Sequence, residues 1–125
     1  MTFPRIAALA LFSSLLTGSA ALAHEAAKGP NGGVLADAGT YHVELVVDGS
    51  TNVAIYLSDA DDKPVTAKDF KANAILIIGG KSQRFALAPD QGSKLVGTAP
   101  SPVKPGVKGA VQLTAPNGAT AQAKY

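Results

Sequence analysis

Apolar and polar side chains alternate along residues 41–48, with Tyr41, Val43, Leu45 and Val47 on one face and His42, Glu44, Val46 and Asp48 on the other. A period of two marks a half-buried β-strand, because successive side chains of a strand point to opposite faces of its sheet. Comparable short runs recur along the chain. Val34–Asp37 is a brief one, and Val53–Ser58 alternates with Val53, Ile55 and Leu57 inward. Ala72–Ile78 is almost continuously apolar, as expected of a central strand covered on both faces. Ser82–Ala88, Lys94–Thr98, Val107–Ala115 and Ala119–Tyr125 bring the total to about eight.

Turn chemistry separates the runs. Asp48-Gly49-Ser50-Thr51-Asn52 reads as a hairpin loop and Asn117-Gly118 as a tight hairpin turn, while Asp59–Pro64, Gly79-Gly80 and Pro89–Ser93 also reverse the chain. Pro100, Pro102 and Pro105 keep Ala99–Gly106 out of any ladder interior, since proline has no N–H to donate. Val65–Phe70 is irregular or a short edge element. No amphipathic helical period appears after residue 33. The expected fold is therefore all-β, a small antiparallel β-sandwich of immunoglobulin-like, Greek-key type.

The amino-terminal segment has a different character. Arg5 supplies a short positive region, Ile6–Leu16 is apolar, and Ala21-Leu22-Ala23 is a small-x-small cleavage site. The apolar stretch falls short of the ~20 residues a membrane-spanning helix needs. Residues 1–23 thus read as a cleavable, helical secretory signal peptide. That implies a periplasmic location, no stable membrane insertion after cleavage, and His24 as the mature terminus. Residues 24–33, with Gly29-Pro30-Asn31-Gly32-Gly33, read as a flexible arm, and residues 34–125 as the folded domain.

Composition excludes several classes of function. The net charge is +2 and the lysines are scattered, so there is no basic footprint for nucleic acid. There is no cysteine, and the one methionine is Met1, which removes thiol redox chemistry and soft sulfur sites for Cu(I). Gly29–Gly33 is not followed by Lys-Ser/Thr, and neither it nor Gly79-Gly80 leads into the helix of a phosphate loop. Asp59–Phe70 has Pro64 and Phe70 where a calcium loop needs glycine and glutamate. No grouping of nucleophile, base and orienting residue is visible, so an enzyme is not expected.

What remains is a metal-ligating set. A free His24 would offer its α-amine and ring Nδ1 in one chelate, and the only other histidine is His42. Three nitrogens suit Cu(II) among the common divalent ions. His42 and Glu44 are two apart on one strand face, about 7 Å along the chain, so Glu44 would add a hard oxygen. The candidate ligands are His24, His42 and Glu44, with Glu25 a weaker fourth.

Four segments carry a resemblance: Gly29-Pro30-Asn31-Gly32-Gly33, Tyr41-His42-Val43-Glu44-Leu45-Val46, Asp61-Asp62-Lys63-Pro64-Val65 and Gly79-Gly80-Lys81. They resemble a family of small periplasmic β-sandwich proteins whose genes accompany heavy-metal efflux systems, with related segments in the periplasmic adaptor subunits of those pumps. The likeness spans most of residues 28–98. His42 and Glu44 match its His-x-Glu pattern, whereas Asn31 stands where members often carry histidine. His24 and the general architecture are also similar to small copper-resistance proteins that bind Cu(II) through a mature amino-terminal histidine. The resemblance implies a periplasmic accessory protein, a buffer or carrier for one divalent ion such as Cu(II), Zn or Co(II). An efflux adaptor or other envelope protein would be its partner. The alternative is a metal-free interaction module that pairs with an envelope protein through an exposed sheet edge.

Overall fold

The computed structural model describes residues 27–125. The expected signal peptide, His24 and Glu25 lie outside the described residues.

Nine strands form: β1 Ala27–Lys28, β2 Val34–Ala38, β3 Tyr41–Val47, β4 Asn52–Ser58, β5 Lys71–Ile78, β6 Lys81–Pro89, β7 Lys94–Thr98, β8 Lys108–Thr114 and β9 Thr120–Lys124. There is no helix among the described residues. Every pairing is antiparallel, in the order β1-β2-β3-β4-β7-β6-β5-β8-β9. The protein is all-β, one curled sheet. The curl turns on β6, whose first seven residues pair with β5 from Ile78↔Lys81 to Ala72↔Leu87. Its last two residues cross to β7 as Ala88↔Val96 and Pro89↔Leu95. Pro89 has no N–H to carry that ladder further. The curl brings β2 and β9 close together, yet no ladder joins them.

The inner face carries the core. Val43 and Leu45 of β3, Val53, Ile55 and Leu57 of β4, Leu76 of β5, Leu95 of β7 and Val111 and Leu113 of β8 are buried. Each such side chain stabilises the fold by about 1.5–3 kcal/mol relative to remaining exposed. Irregular segments seal the ends. Phe70 stacks edge-on against Tyr41 with ring centroids 5.2 Å apart. Val103, within the proline-rich segment, is fully buried and exchanges backbone bonds with the Gly49–Ser50 turn.

Two expectations need correction. The continuous apolar run of β5 is covered on its inner face only: Ala72, Ala74 and Leu76 are buried, while Ile77 is 53% exposed. Among the described residues no strand or helix packs over Ile77 on the outer face of β5, and isoleucine there satisfies strand propensity without burial. Residues 27–33, expected within a flexible arm, are tied down. Ala27 and Lys28 pair with Leu35 and Val34, and the intervening loop is closed by Gly29 N–H to the Gly33 carbonyl at 2.9 Å.

Candidate functional site

The β2–β3 hairpin places the candidate residues. Its two-residue turn, Gly39-Thr40, sets Ala38 opposite Tyr41, and the register then puts Asp37 opposite His42 and Leu35 opposite Glu44. His42 and Glu44 share the outer face of β3, as their alternation requires. Their surroundings differ completely.

Glu44 is 1% exposed although it points away from the core. The Gly29–Gly33 loop folds over it. One carboxylate oxygen accepts the Asn31 and Gly33 backbone N–H groups at 2.9 and 2.8 Å, and the other accepts the Asn31 side-chain amide at 2.8 Å. Hydrogen bonds of this kind satisfy a buried carboxylate without a metal. The approach is so close that a Cβ on Gly29 would overlap the Glu44 carboxyl group, and one on Gly33 would overlap the Leu45 carbonyl. Glycine at these two positions is thus a spatial requirement of the Glu44 clasp. Glu44, an expected oxygen ligand, has its lone pairs committed to this loop.

His42 is open to solvent along one side, with its side chain 30% exposed. Its Nδ1 lies 2.9 Å from Asp62 Oδ1, a hydrogen bond, and its Nε2 lies 3.5 Å from Asp37 Oδ1. The second separation is beyond ordinary hydrogen-bond length. Asp62 belongs to the turn after β4. Asp59 organises that turn by accepting the backbone N–H groups of Asp61 and Lys63 at 2.9 and 3.0 Å. An isolated bridge from Ser58 to Pro64 holds the turn beside β4, and Ser58 is itself the β4 partner of His42. Asp62 has φ of 60°, the one non-glycine residue with positive φ among those described. Aspartate accepts that conformation better than most side chains, at a modest energetic cost.

A cleft of about 750 Å³ includes Asp37, His42 and Asp62 in its lining, with Leu45, Val107 and Tyr125. Tyr125 follows β9 and reaches across the curl, where its hydroxyl donates to the Val43 carbonyl at 2.7 Å. Burial, with a smaller contribution from the Glu44 charge, holds its phenol well above its ordinary pKa of 10.0.

The structure therefore brings His42 together with two carboxylates that the sequence reading left in a turn and at a strand end. It separates Glu44 from that function, and His24 lies outside the described residues. Among the described residues, no three histidine, cysteine or acidic side chains converge as a complete metal site. No protein-family model, curated protein or solved structure matches this chain.

Proposed function

We propose that the chain is a non-catalytic, periplasmic metal-binding accessory protein, holding one divalent ion such as Cu(II), Zn or Co(II) at His42 as a buffer or carrier. The observation that carries this reading is the His42 ring. Its Nδ1 is within hydrogen-bond distance of Asp62, and with the proton on that nitrogen Nε2 would offer a lone pair beside a carboxylate. A histidine anchored through one nitrogen by a carboxylate is the usual preparation for ligation through the other.

The direction of β1 supports His24 as the further donor. β1 is antiparallel to β2, so the chain enters Ala27 from the side on which Asp37 and His42 lie. Three residues of chain, at most about 10 Å, separate Ala27 from His24. With its α-amine and Nδ1, His24 would complete a largely nitrogen site suited to Cu(II).

The proposal carries a reading of the fold as well. The ladders β1-β2-β3-β4-β7 and β6-β5-β8-β9 meet through only two residue pairs, which favours describing the curled sheet as a β-sandwich of immunoglobulin-like type.

Calorimetric titration of the chain beginning at His24 with Cu²⁺ and Zn²⁺ tests the function. Saturable binding of one equivalent, lost in His42→Ala, supports it. No binding, or binding indifferent to His42→Ala, rejects it.

A second reading has its own observation. β9 ends the sheet order, and among the described residues no ladder joins its outer edge. An extended segment of an envelope protein, such as an efflux adaptor, would add there as a further strand. Slowed amide exchange in Thr120–Lys124 on adding a purified adaptor in the presence of chelator would favour this reading over metal binding.

A further inference from the structure

Pro-Asn-Gly occurs twice in the chain, at residues 30–32 and 116–118, and the two copies fold into the same turn. In the first, Gly29 N–H donates to the Gly33 carbonyl at 2.9 Å and Gly32 N–H to the Gly29 carbonyl at 3.2 Å. In the second, Ala115 N–H donates to the Ala119 carbonyl and Gly118 N–H to the Ala115 carbonyl, both at 2.9 Å. Gly32 and Gly118 have φ of 79° and 83°, the left-handed geometry that closes a three-residue hairpin loop. Both asparagines are exposed. Their side chains are held differently. Asn117 Oδ1 accepts the Ala119 N–H at 3.0 Å. The equivalent N–H of the first loop, that of Gly33, goes to Glu44 at 2.8 Å, and the Asn31 side-chain amide donates to the other oxygen of the same carboxylate at 2.8 Å.

An asparagine followed by glycine is open to attack by the glycine nitrogen on its own side chain, because no Cβ obstructs the approach. The glycine nitrogen gives its proton to solvent and bonds to asparagine Cγ. The Cγ–N bond of the carboxamide breaks, and that nitrogen leaves as ammonia. Water then opens the resulting cyclic imide at one of its two carbonyls, leaving aspartate or isoaspartate, with no change of oxidation state. Asn52 and Asn73 precede Val53 and Ala74 inside β4 and β5 and lack this opening.

We infer that Asn117 is a site of spontaneous deamidation at the β8–β9 hairpin, and that Glu44 shields Asn31 from the same reaction. The Ala119 N–H bonds the Asn117 carbonyl oxygen, where negative charge gathers as the nitrogen adds. At Asn31 the Glu44 carboxylate holds the nitrogen that would have to leave and fixes the rotation of the side chain. Its charge also opposes both the loss of the Gly32 proton and the growth of negative charge on the Asn31 oxygen. The shielding protects the fold, since an acid at residue 31 would set a second carboxylate against Glu44 where a donor is needed. An acid at residue 117 keeps an oxygen for the Ala119 N–H. The inference is independent of the metal-binding reading.

Folded wild type is held in mildly alkaline buffer, and conversion at each asparagine is followed by peptide mass spectrometry. Asn117 should convert roughly 10–100-fold faster than Asn31, the factor that one hydrogen bond to a charged group is worth. In denaturant, where only the shared Pro-Asn-Gly sequence remains, the two rates should converge. Glu44→Gln keeps the shape of the side chain without its charge. It should raise the Asn31 rate in the folded protein and leave the Asn117 rate unchanged. Gly29→Ala, whose methyl group displaces the same carboxylate, supplies the comparison should Glu44→Gln not fold. Equal rates in folded wild type, no conversion at Asn117, or a difference that survives denaturant overturns the inference. An Asn31 rate unmoved in a folded Glu44→Gln or Gly29→Ala protein overturns the role given to Glu44.

Discussion

The Tyr125 hydroxyl donates a hydrogen bond of 2.7 Å to the Val43 carbonyl, tying the segment after β9 to β3 on the opposite side of the curl. Backbone bonds between Tyr125 and Gly109, at 2.8 and 3.2 Å, anchor the same residue to the start of β8. Tyr125 thus links parts of the sheet that no ladder joins.

The phenol gives this link a pH dependence. Its pKa is raised in the folded state, chiefly by burial, so between the ordinary value and the raised one the unfolded chain loses a proton that the folded chain keeps. The stabilisation is fully present below about pH 10 and is lost as pH rises beyond it, at up to ~1.4 kcal/mol per pH unit. Denaturant unfolding from pH 8 to pH 11 should show wild type falling relative to Tyr125→Phe. At pH 7 the substitution itself should cost about 0.5–1.5 kcal/mol, the usual worth of one hydrogen bond. Parallel pH curves for the two proteins would contradict the assignment.

The clasp on Glu44 predicts a coupling. Gly29→Ala should destabilise by roughly 1–3 kcal/mol, as overpacking does, because the new methyl group overlaps the Glu44 carboxyl group. Glu44→Ala should cost a similar amount by stranding the Gly33 N–H. The double substitution should cost less than the sum, since removing the carboxyl group vacates the space the methyl group needs. Strict additivity in a double-mutant cycle would show that the two residues do not meet.

Neighbouring residues of β5 should respond oppositely. Leu76 is fully buried, and Leu76→Ala should lose about 2–5 kcal/mol. Ile77 is 53% exposed, and Ile77→Thr should change stability by no more than about 0.5 kcal/mol. Equal losses would mean that the outer face of β5 is covered.

Asp62→Gly separates stability from function. Glycine accepts the φ of 60° without strain, so the thermal midpoint should not fall, while metal affinity does. A midpoint several degrees lower would make Asp62 a structural residue.

Much of the strand framework was legible. Alternation located β3 and β4, and turn residues bounded most of the others within a residue or two. β1 was missed because a two-residue strand holds no period, and its pairing depends on Glu44 gathering the glycine loop from 11–13 residues away. The β5 run misled because continuous apolarity describes the sequence and not what lies over each face. In the site, His42 was identified from composition alone. Asp37 was also within reach: once Gly39-Thr40 is recognised as a two-residue hairpin turn, the register puts residue 37 opposite residue 42. Asp62 was not, because its approach depends on how an irregular turn folds back beside β4. Glu44 shows the limit of face-counting, since an outer-face carboxylate was read as available when a loop had already enclosed it.

The central claim, that one ion sits on His42 Nε2, is tested most directly by electron paramagnetic resonance of the chain beginning at His24 with one equivalent of Cu²⁺. Nitrogen hyperfine structure from three donors is predicted for the wild type, with one donor fewer in His42→Ala. Identical spectra for the two proteins, matching Cu²⁺ in buffer or bound elsewhere, would contradict it.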